Sequence, residues 1–264
     1  MRTITLMYHD IISPGRPDGS GFPGPGAASF KVEFTRFEEH LDAIARSATP
    51  WALRPADDGR CTVRDGWCLT FDDGGVSALS LVAEALERRA WRGVFFVATD
   101  FIGQPGFLEG EQIRELHARG HIVGSHTRTH PPKLTACTRD SIAAEWRDSL
   151  DVLAHIIGAP VVFASVPNGS YDRIVGEEAA KAGIQALFTS NPSRHQGRIA
   201  DCSVLGRYNV RATTSAAWVA AVTAGAPWPR YLQWLEWKVK RLAEDLAGKQ
   251  FLWARRRWHA ARNR

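Results

Sequence analysis

The chain has 264 residues, 44% hydrophobic and 23% charged, a composition that excludes disorder and fibrous repeats and is long enough to bury a substantial core. Its formal charge of +5 is unevenly spread: Trp228–Arg264 carries ten Lys and Arg against Glu236, Glu244 and Asp245, a balance of +7, with five of the ten Trp, which leaves −2 for the other 227 residues. A near-neutral body excludes a nucleic-acid binder on charge, and no apolar run approaches the ~20 residues of a spanning helix.

In chain order, Thr3–Tyr8 reads as a strand that ends in Tyr8-His9-Asp10. Polar His9 and Asp10 interrupt the start before an apolar stretch forms, and no small-residue cleavage site follows, which predicts a cytoplasmic protein. Ser13–Ser29, rich in Gly and Pro, is expected to be a long loop at that strand's C-terminal end, where long loops are either mobile or functional. Phe34, Phe37, Leu41, Ile44 and Ala48 recur at helical spacing, with Thr35-x-x-Glu38 as a capping box. Trp67–Phe71 is a strand that ends in Asp72-Asp73-Gly74, and Val76–Ala90 is a helix.

Further strands are expected at Gly93–Ala98, His121–Ser125, Val161–Ser165, Ala186–Thr189 and Val204–Val210, with a helix at about Thr138–Ile157. Strands alternating with helices predict parallel βαβ units, and seven of them suit a barrel over residues 1–225. Residues 226–264 form a separate basic, Trp-rich tail, in which Tyr231, Trp234, Leu235, Val239, Leu242 and Leu246 make a helical stripe and Glu236 faces Lys240. Trp combined with Lys and Arg suits peripheral contact with anionic lipid. Cys61, Cys68, Cys137 and Cys202 show neither C-x-x-C pairs nor zinc-ribbon spacing, and read as plain thiols.

In a parallel barrel, chemistry gathers where the strands end. Adjacent Asp72 and Asp73 repel unless a cation or proton intervenes, and His126 and His130, four apart, can converge on one ion if their segment turns tightly. With Asp73 they compose a two-His, one-carboxylate set that leaves positions open for water and substrate. Gly and Pro around Asn168 suit a fixed turn that presents backbone N–H groups.

Thr70-Phe71-Asp72-Asp73-Gly74 and Ser125-His126-Thr127-Arg128-Thr129-His130 resemble the first two motifs of the polysaccharide deacetylases, the NodB-like carbohydrate esterases. Tyr8-His9-Asp10, Gly93–Val97, Gly120–Gly124, Pro167–Asp172 and Leu187–Ser190 follow in the same order, and the likeness covers about residues 1–212. The resemblance implies an α/β fold, a distorted (β/α) barrel of about seven parallel strands with a C-terminal helical extension. It also implies metal-dependent removal of N-acetyl groups from an aminosugar polymer or its lipid-linked precursor. Asp73, His126 and His130 would hold a divalent metal, often zinc in this family, and Asp72 would be the general base for the metal-bound water. Pro167, Asn168 and Gly169 would form the substrate and oxyanion segment.

Two departures stand out. The Arg that orients the family's catalytic Asp is replaced at Ser165, so Arg207 or Arg211 is the expected support for Asp72. The family's late catalytic His is also absent, and His9 becomes the expected general acid ahead of His195. Two alternatives follow: a glycan-binding protein with impaired catalysis, and a hydrolase of another non-peptide C–N bond.

Overall fold

The computed structural model describes residues 3–47, 54–55, 61–62, 66–194 and 197–243. Nine strands form its main sheet: β1 (Thr3–Tyr8), β2 (Gly66–Phe71), β3 (Val94–Val97), β4 (Ile122–Ser125), β5 (Phe163–Ser165), β6 (Ala186–Phe188), β7 (Gly197–Ile199), β8 (Cys202–Leu205) and β9 (Tyr208–Asn209). Their order is β7-β8-β6-β5-β4-β3-β2-β1-β9, and every pairing is parallel except β7 with β8.

β8 and β9 are on opposite flanks of this order, yet only Gly206 and Arg207 separate them in the chain. Three extended residue steps reach at most about 11 Å, so the sheet must roll until its flanks meet. The result is the expected distorted barrel, whose seam is closed by two residues of chain rather than by a hydrogen-bonded ladder. Gly206 is required there, because a Cβ would stand 2.4 Å from the Asn191 carbonyl oxygen and 2.5 Å from that of Ser193.

The strands are buried on both faces, as the near-continuous apolar runs require. Neighbours on one strand therefore serve different cores. Phe95 packs outward with Phe71, Leu86 and Trp146 of the helix-covered core, while Phe96 packs inward with Phe163, Phe188 and Leu205. Tyr8, Phe71 and Phe95 stack across β1, β2 and β3 at centroid distances of 5.5 and 5.1 Å.

Among the described residues the outside is covered by α1 (Phe34–Ser47), α2 (Glu84–Glu87, entered through a π-helical stretch at Ala78–Ala83), α3 (Gly110–Ala118), α4 (Arg139–Ile157), α5 (Arg173–Lys181) and α6 (Ala216–Thr223), and the loop after β1 holds one short helical turn at Pro25–Ala28. A further helix runs over 227–243. The Thr138 side chain accepts from the Ser141 amide at the start of α4, and left-handed Gly158 ends it, so this long amphipathic helix has both a start and a stop signal.

Three expectations need correction. Val204–Val210 is not one strand: the seam divides it between β8 and β9. Thr35 lies inside α1 and Glu38 pairs with Arg88 and Arg89 across to α2, so the capping box does not form. In the tail, Glu236 pairs with Arg211 at 2.7 Å. Leu246, the Arg255–Arg257 cluster, Trp253, Trp258, His195 and the Cys61 side chain lie outside the described residues.

Candidate metal centre and active-site cleft

Strand register aligns the site. Tyr8 pairs with Phe71, so His9 and Asp72 leave β1 and β2 at one level. Val97 pairs with Ser125, and the His126 amide donates to the Val97 carbonyl at 2.8 Å, which starts the histidine loop at the same height. Phe188 pairs with Ser165, which places Val166–Gly169 opposite. Asp72, Asp73, His126, His130, His9, Asn168 and Gly169 consequently line one cleft of about 530 Å³.

The backbone here is strained. Asp73, Thr127, His130 and Asn168 all have positive φ, at 77°, 64°, 53° and 54°, and they make up most of the non-glycine residues with this conformation. Each such position costs of order 1–3 kcal/mol unless its surroundings enforce it. Glu145 of α4 does so for the histidine loop: its carboxylate accepts from the Arg128 and Thr129 amides, each at 2.9 Å, and from the Thr129 hydroxyl at 2.7 Å. Gly169 has φ 63°, and a Cβ there would meet the Ser190 hydroxyl oxygen at 2.2 Å.

One Oδ1 of Asp73 lies 3.4 Å from His126 Nε2 and 3.5 Å from His130 Nε2, and all three donor atoms fall within 4.8 Å of one another. Ligands about 2.1 Å from a tetrahedral ion stand about 3.4 Å apart, so the spacing fits a divalent cation, and two imidazoles with one carboxylate suit zinc and its neighbours. The other His126 nitrogen is already committed: Nδ1 lies 2.6 Å from Ser165 Oγ and 3.1 Å from the Ser165 carbonyl oxygen. With the proton on Nδ1, Nε2 keeps its lone pair for the ion.

Asp72 is held separately. Arg207 donates to both its oxygens, Nη1 to Oδ1 at 2.6 Å and Nη2 to Oδ2 at 2.8 Å, and Ser165 Oγ donates to Oδ1 at 3.1 Å. Arg207 is fully buried; its Nε donates to the Thr189 carbonyl, its Nη1 also to Thr70 Oγ1, and its guanidinium lies over the Phe96 ring. Of the two candidate arginines, Arg207 is therefore the one that contacts Asp72, while Arg211 is engaged by Glu236. Ser165, which the sequence shows only as a departure from the family motif it resembles, connects His126 to Asp72 in one hydrogen-bonded chain.

Burial pushes the Asp72 carboxyl up, but the charges of Arg207 and His126 and the Arg207 hydrogen bonds outweigh it and hold it below the usual range. Burial acts likewise on Asp73, where hydrogen bonds from His126 and His130 reverse it. For His126 burial lowers the pKa, and the Asp72 and Asp73 charges overcome this and raise it. The same negative field favours a cation. Burial lowers the His9 pKa against the opposing pull of Asp73 and Asp72, and its Nδ1 has no hydrogen-bond partner among the described residues.

The Gly/Pro-rich loop forms one wall. Its Phe22 packs on His130 at 4.8 Å between ring centroids, and Phe30 packs on His9 at 5.0 Å. Buried Asp10 pins this loop: it accepts from Ser20 Oγ at 2.6 Å and Ser77 Oγ at 3.1 Å. Gly21 and Gly75 press so closely on its carboxylate that a Cβ at either would overlap it. Pro167 is buried behind the turn and, lacking an N–H, leaves donation to Asn168 and Gly169.

The resemblance read from the sequence is borne out: the polysaccharide deacetylase family profile matches residues 59–187, just under half of the chain. YxkH of Bacillus subtilis (strain 168), which carries the polysaccharide deacetylase name, is 28% identical over 204 residues, 74% of this chain and 68% of its own. The peptidoglycan-N-acetylmuramic acid deacetylase PdaA of the same organism is 30% identical over 125 residues, 46% of this chain and 45% of its own. Across the first curated relatives the chain spans between 28% and 68% of their lengths. The Streptococcus pyogenes deacetylase PplD, solved in complex with acetate, superposes with a TM-score of 0.66 at 19% identity, covering 84% of this chain and 98% of that one. This likeness shows the fold.

Proposed function

From the premise that this chain shares the sequence profile and fold of the polysaccharide deacetylases, we propose that it is a metal-dependent hydrolase of N-acetyl groups on an aminosugar polymer or its lipid-linked precursor. The observation that carries this reading is the pairing of two adjacent carboxylates in different settings. Asp73 faces two imidazole nitrogens at ligand spacing, while Asp72, one residue earlier, is held ionised by Arg207 and takes no part in the triad.

A divalent ion on Asp73, His126 and His130, with zinc as the expected metal, would supply Lewis acidity toward the amide carbonyl and lower the pKa of the attacking water. Asp72 accepts the proton of that water, and Arg207 and Ser165 keep its oxygens aimed while it does so. The N–H groups of Asn168 and Gly169, fixed by the strained turn, are the donors for the oxyanion. His9 is the group assigned to deliver a proton to the departing amine. Phe22 and Phe30 narrow the cleft and exclude water from it.

Acetate release from N-acetylglucosamine oligomers, measured with metal content, tests this. The wild-type protein is expected to bind one divalent ion and release acetate. Asp72→Asn should keep the ion and lose about 10²–10⁴-fold in rate, the range of a lost general base. Stoichiometric metal with no acetate from any acetylated glycan would overturn the reading.

A further inference from the structure

The helix over 227–243 has two unlike faces. Toward the barrel, Gln233 closes a two-way bond with Asn209: the Asn209 amide donates to Oε1 at 3.0 Å, and Nε2 donates to the Asn209 carbonyl at 2.8 Å. Glu236 adds an ion pair to Arg211, and Lys240 lines the same cleft as Asp72 and the metal triad. At 3.6 residues per turn, Trp228, Tyr231, Leu232, Leu235, Val239 and Leu242 share an arc of roughly 100° on the side opposite Gln233 and Trp237. All six are exposed, Trp228 by 67%, Val239 by 59% and Leu242 by 60%. The apolar stripe of the tail thus points away from the barrel.

Exposed apolar surface of this extent needs a cover, and charge identifies which. The segment Trp228–Arg264 carries +7 while the rest of the chain carries −2. Self-association would bring two +7 segments together, whereas an anionic surface complements each of them. Aromatic rings reinforce this choice: Trp228, Tyr231 and Trp234 form a stacked ladder with centroids 6.0 and 5.8 Å apart. Lys238 lies over Trp234 and Arg241 over Trp237. Apolar side chains flanked by Trp, Tyr and basic groups match the water–hydrocarbon boundary. Among the described residues no helix is long and apolar enough to cross a membrane.

We propose that the outer face of helix 227–243 docks the protein on an anionic phospholipid surface, with the helix in the interface plane and the catalytic cleft held beside the lipid by its other face. A lipid-linked aminosugar would then meet the cleft without leaving the bilayer. That last step rests on the deacetylase reading; the docking does not, because vesicle binding is measured without substrate.

The test is co-sedimentation of the full chain with phosphatidylcholine vesicles, with and without phosphatidylglycerol. Binding should be at least about tenfold tighter to the anionic vesicles, and the triple variant Leu235→Ser, Val239→Ser, Leu242→Ser should lose about tenfold or more of it. Unchanged metal content in the variant verifies an intact barrel. Equal binding of both proteins, or a dimer by sedimentation velocity that the variant abolishes and that ignores vesicles, would overturn the proposal.

Discussion

Replacing Arg207 by Met removes a buried cation while keeping much of its apolar bulk, and the consequence should depend on pH with a definite sign. Asp72 is 4% exposed and receives two charge-assisted bonds, of 2.6 and 2.8 Å, from Arg207. Breaking such a pair from one side costs about 3–5 kcal/mol, because a charge remains buried without compensation. In the wild type the folded pKa of Asp72 lies below its usual 3.8, so the group contributes stability above 3.8 that is lost as pH falls through the folded value. Without Arg207, burial dominates and the folded pKa rises above 3.8, so ionisation now opposes folding. The deficit of Arg207→Met should therefore be smaller near about pH 4 than near about pH 8, where it approaches its full 3–5 kcal/mol. Urea unfolding of metal-free protein across this range measures it. The acid limb of the pH–rate profile should move upward in parallel, since the base would hold its proton longer. A variant within about 1 kcal/mol of wild type at both pH values, or a deficit that shrinks with rising pH, would refute the assignment.

Two further outcomes are expected. Ser165→Ala frees His126 Nδ1 from its hydroxyl partner and should weaken zinc binding about 10–100-fold in competition with a chromogenic chelator; an unchanged affinity would remove Ser165 from the site. Burial, with the Asp73 charge, pushes the Asp10 carboxyl up to about 6 against its usual 3.8, so its ionised form opposes folding above that window. The stability of Asp10→Asn relative to wild type should accordingly rise between about pH 4 and 6 and level off beyond, and a flat difference curve would contradict the cause given.

The residues that the structure brings together, Asp72, Asp73, His126 and His130, were legible because they lie in two short runs at strand ends, where residue type and position point to chemistry together. Parallel strands and α4 were legible for a similar reason: local periodicity and caps decide them. What supports the pair was harder to read. Arg207 and Arg211 are equivalent candidates in the sequence, and only the rolling of the sheet, a property of all nine strands, turns the former inward onto Asp72 and the latter outward to Glu236. Ser165 looks like a loss when compared with a family motif, and it becomes a link only when β4 and β5 bring His126 to it. Residues 13–29 do form a loop at the end of β1, but their composition did not say that Phe22, with Phe30 just beyond it, would pack on His130 and His9. The tail's helix was visible, and its orientation was not, since an apolar stripe has the same period whichever way it faces.

The two-residue seam has a temporal consequence. Asp72, Asp73, His126 and His130 leave the ribosome well before Arg207, which reaches Asp72 only when β9 settles beside β1. On the proposed mechanism, a chain with an open barrel has its four reactive side chains but no fixed base, so hydrolysis would require the seam to close. On the same reading, a cut, insertion or permutation at Gly206 separates Arg207 from the barrel's other flank, so deacetylase activity would report directly on whether the barrel has shut.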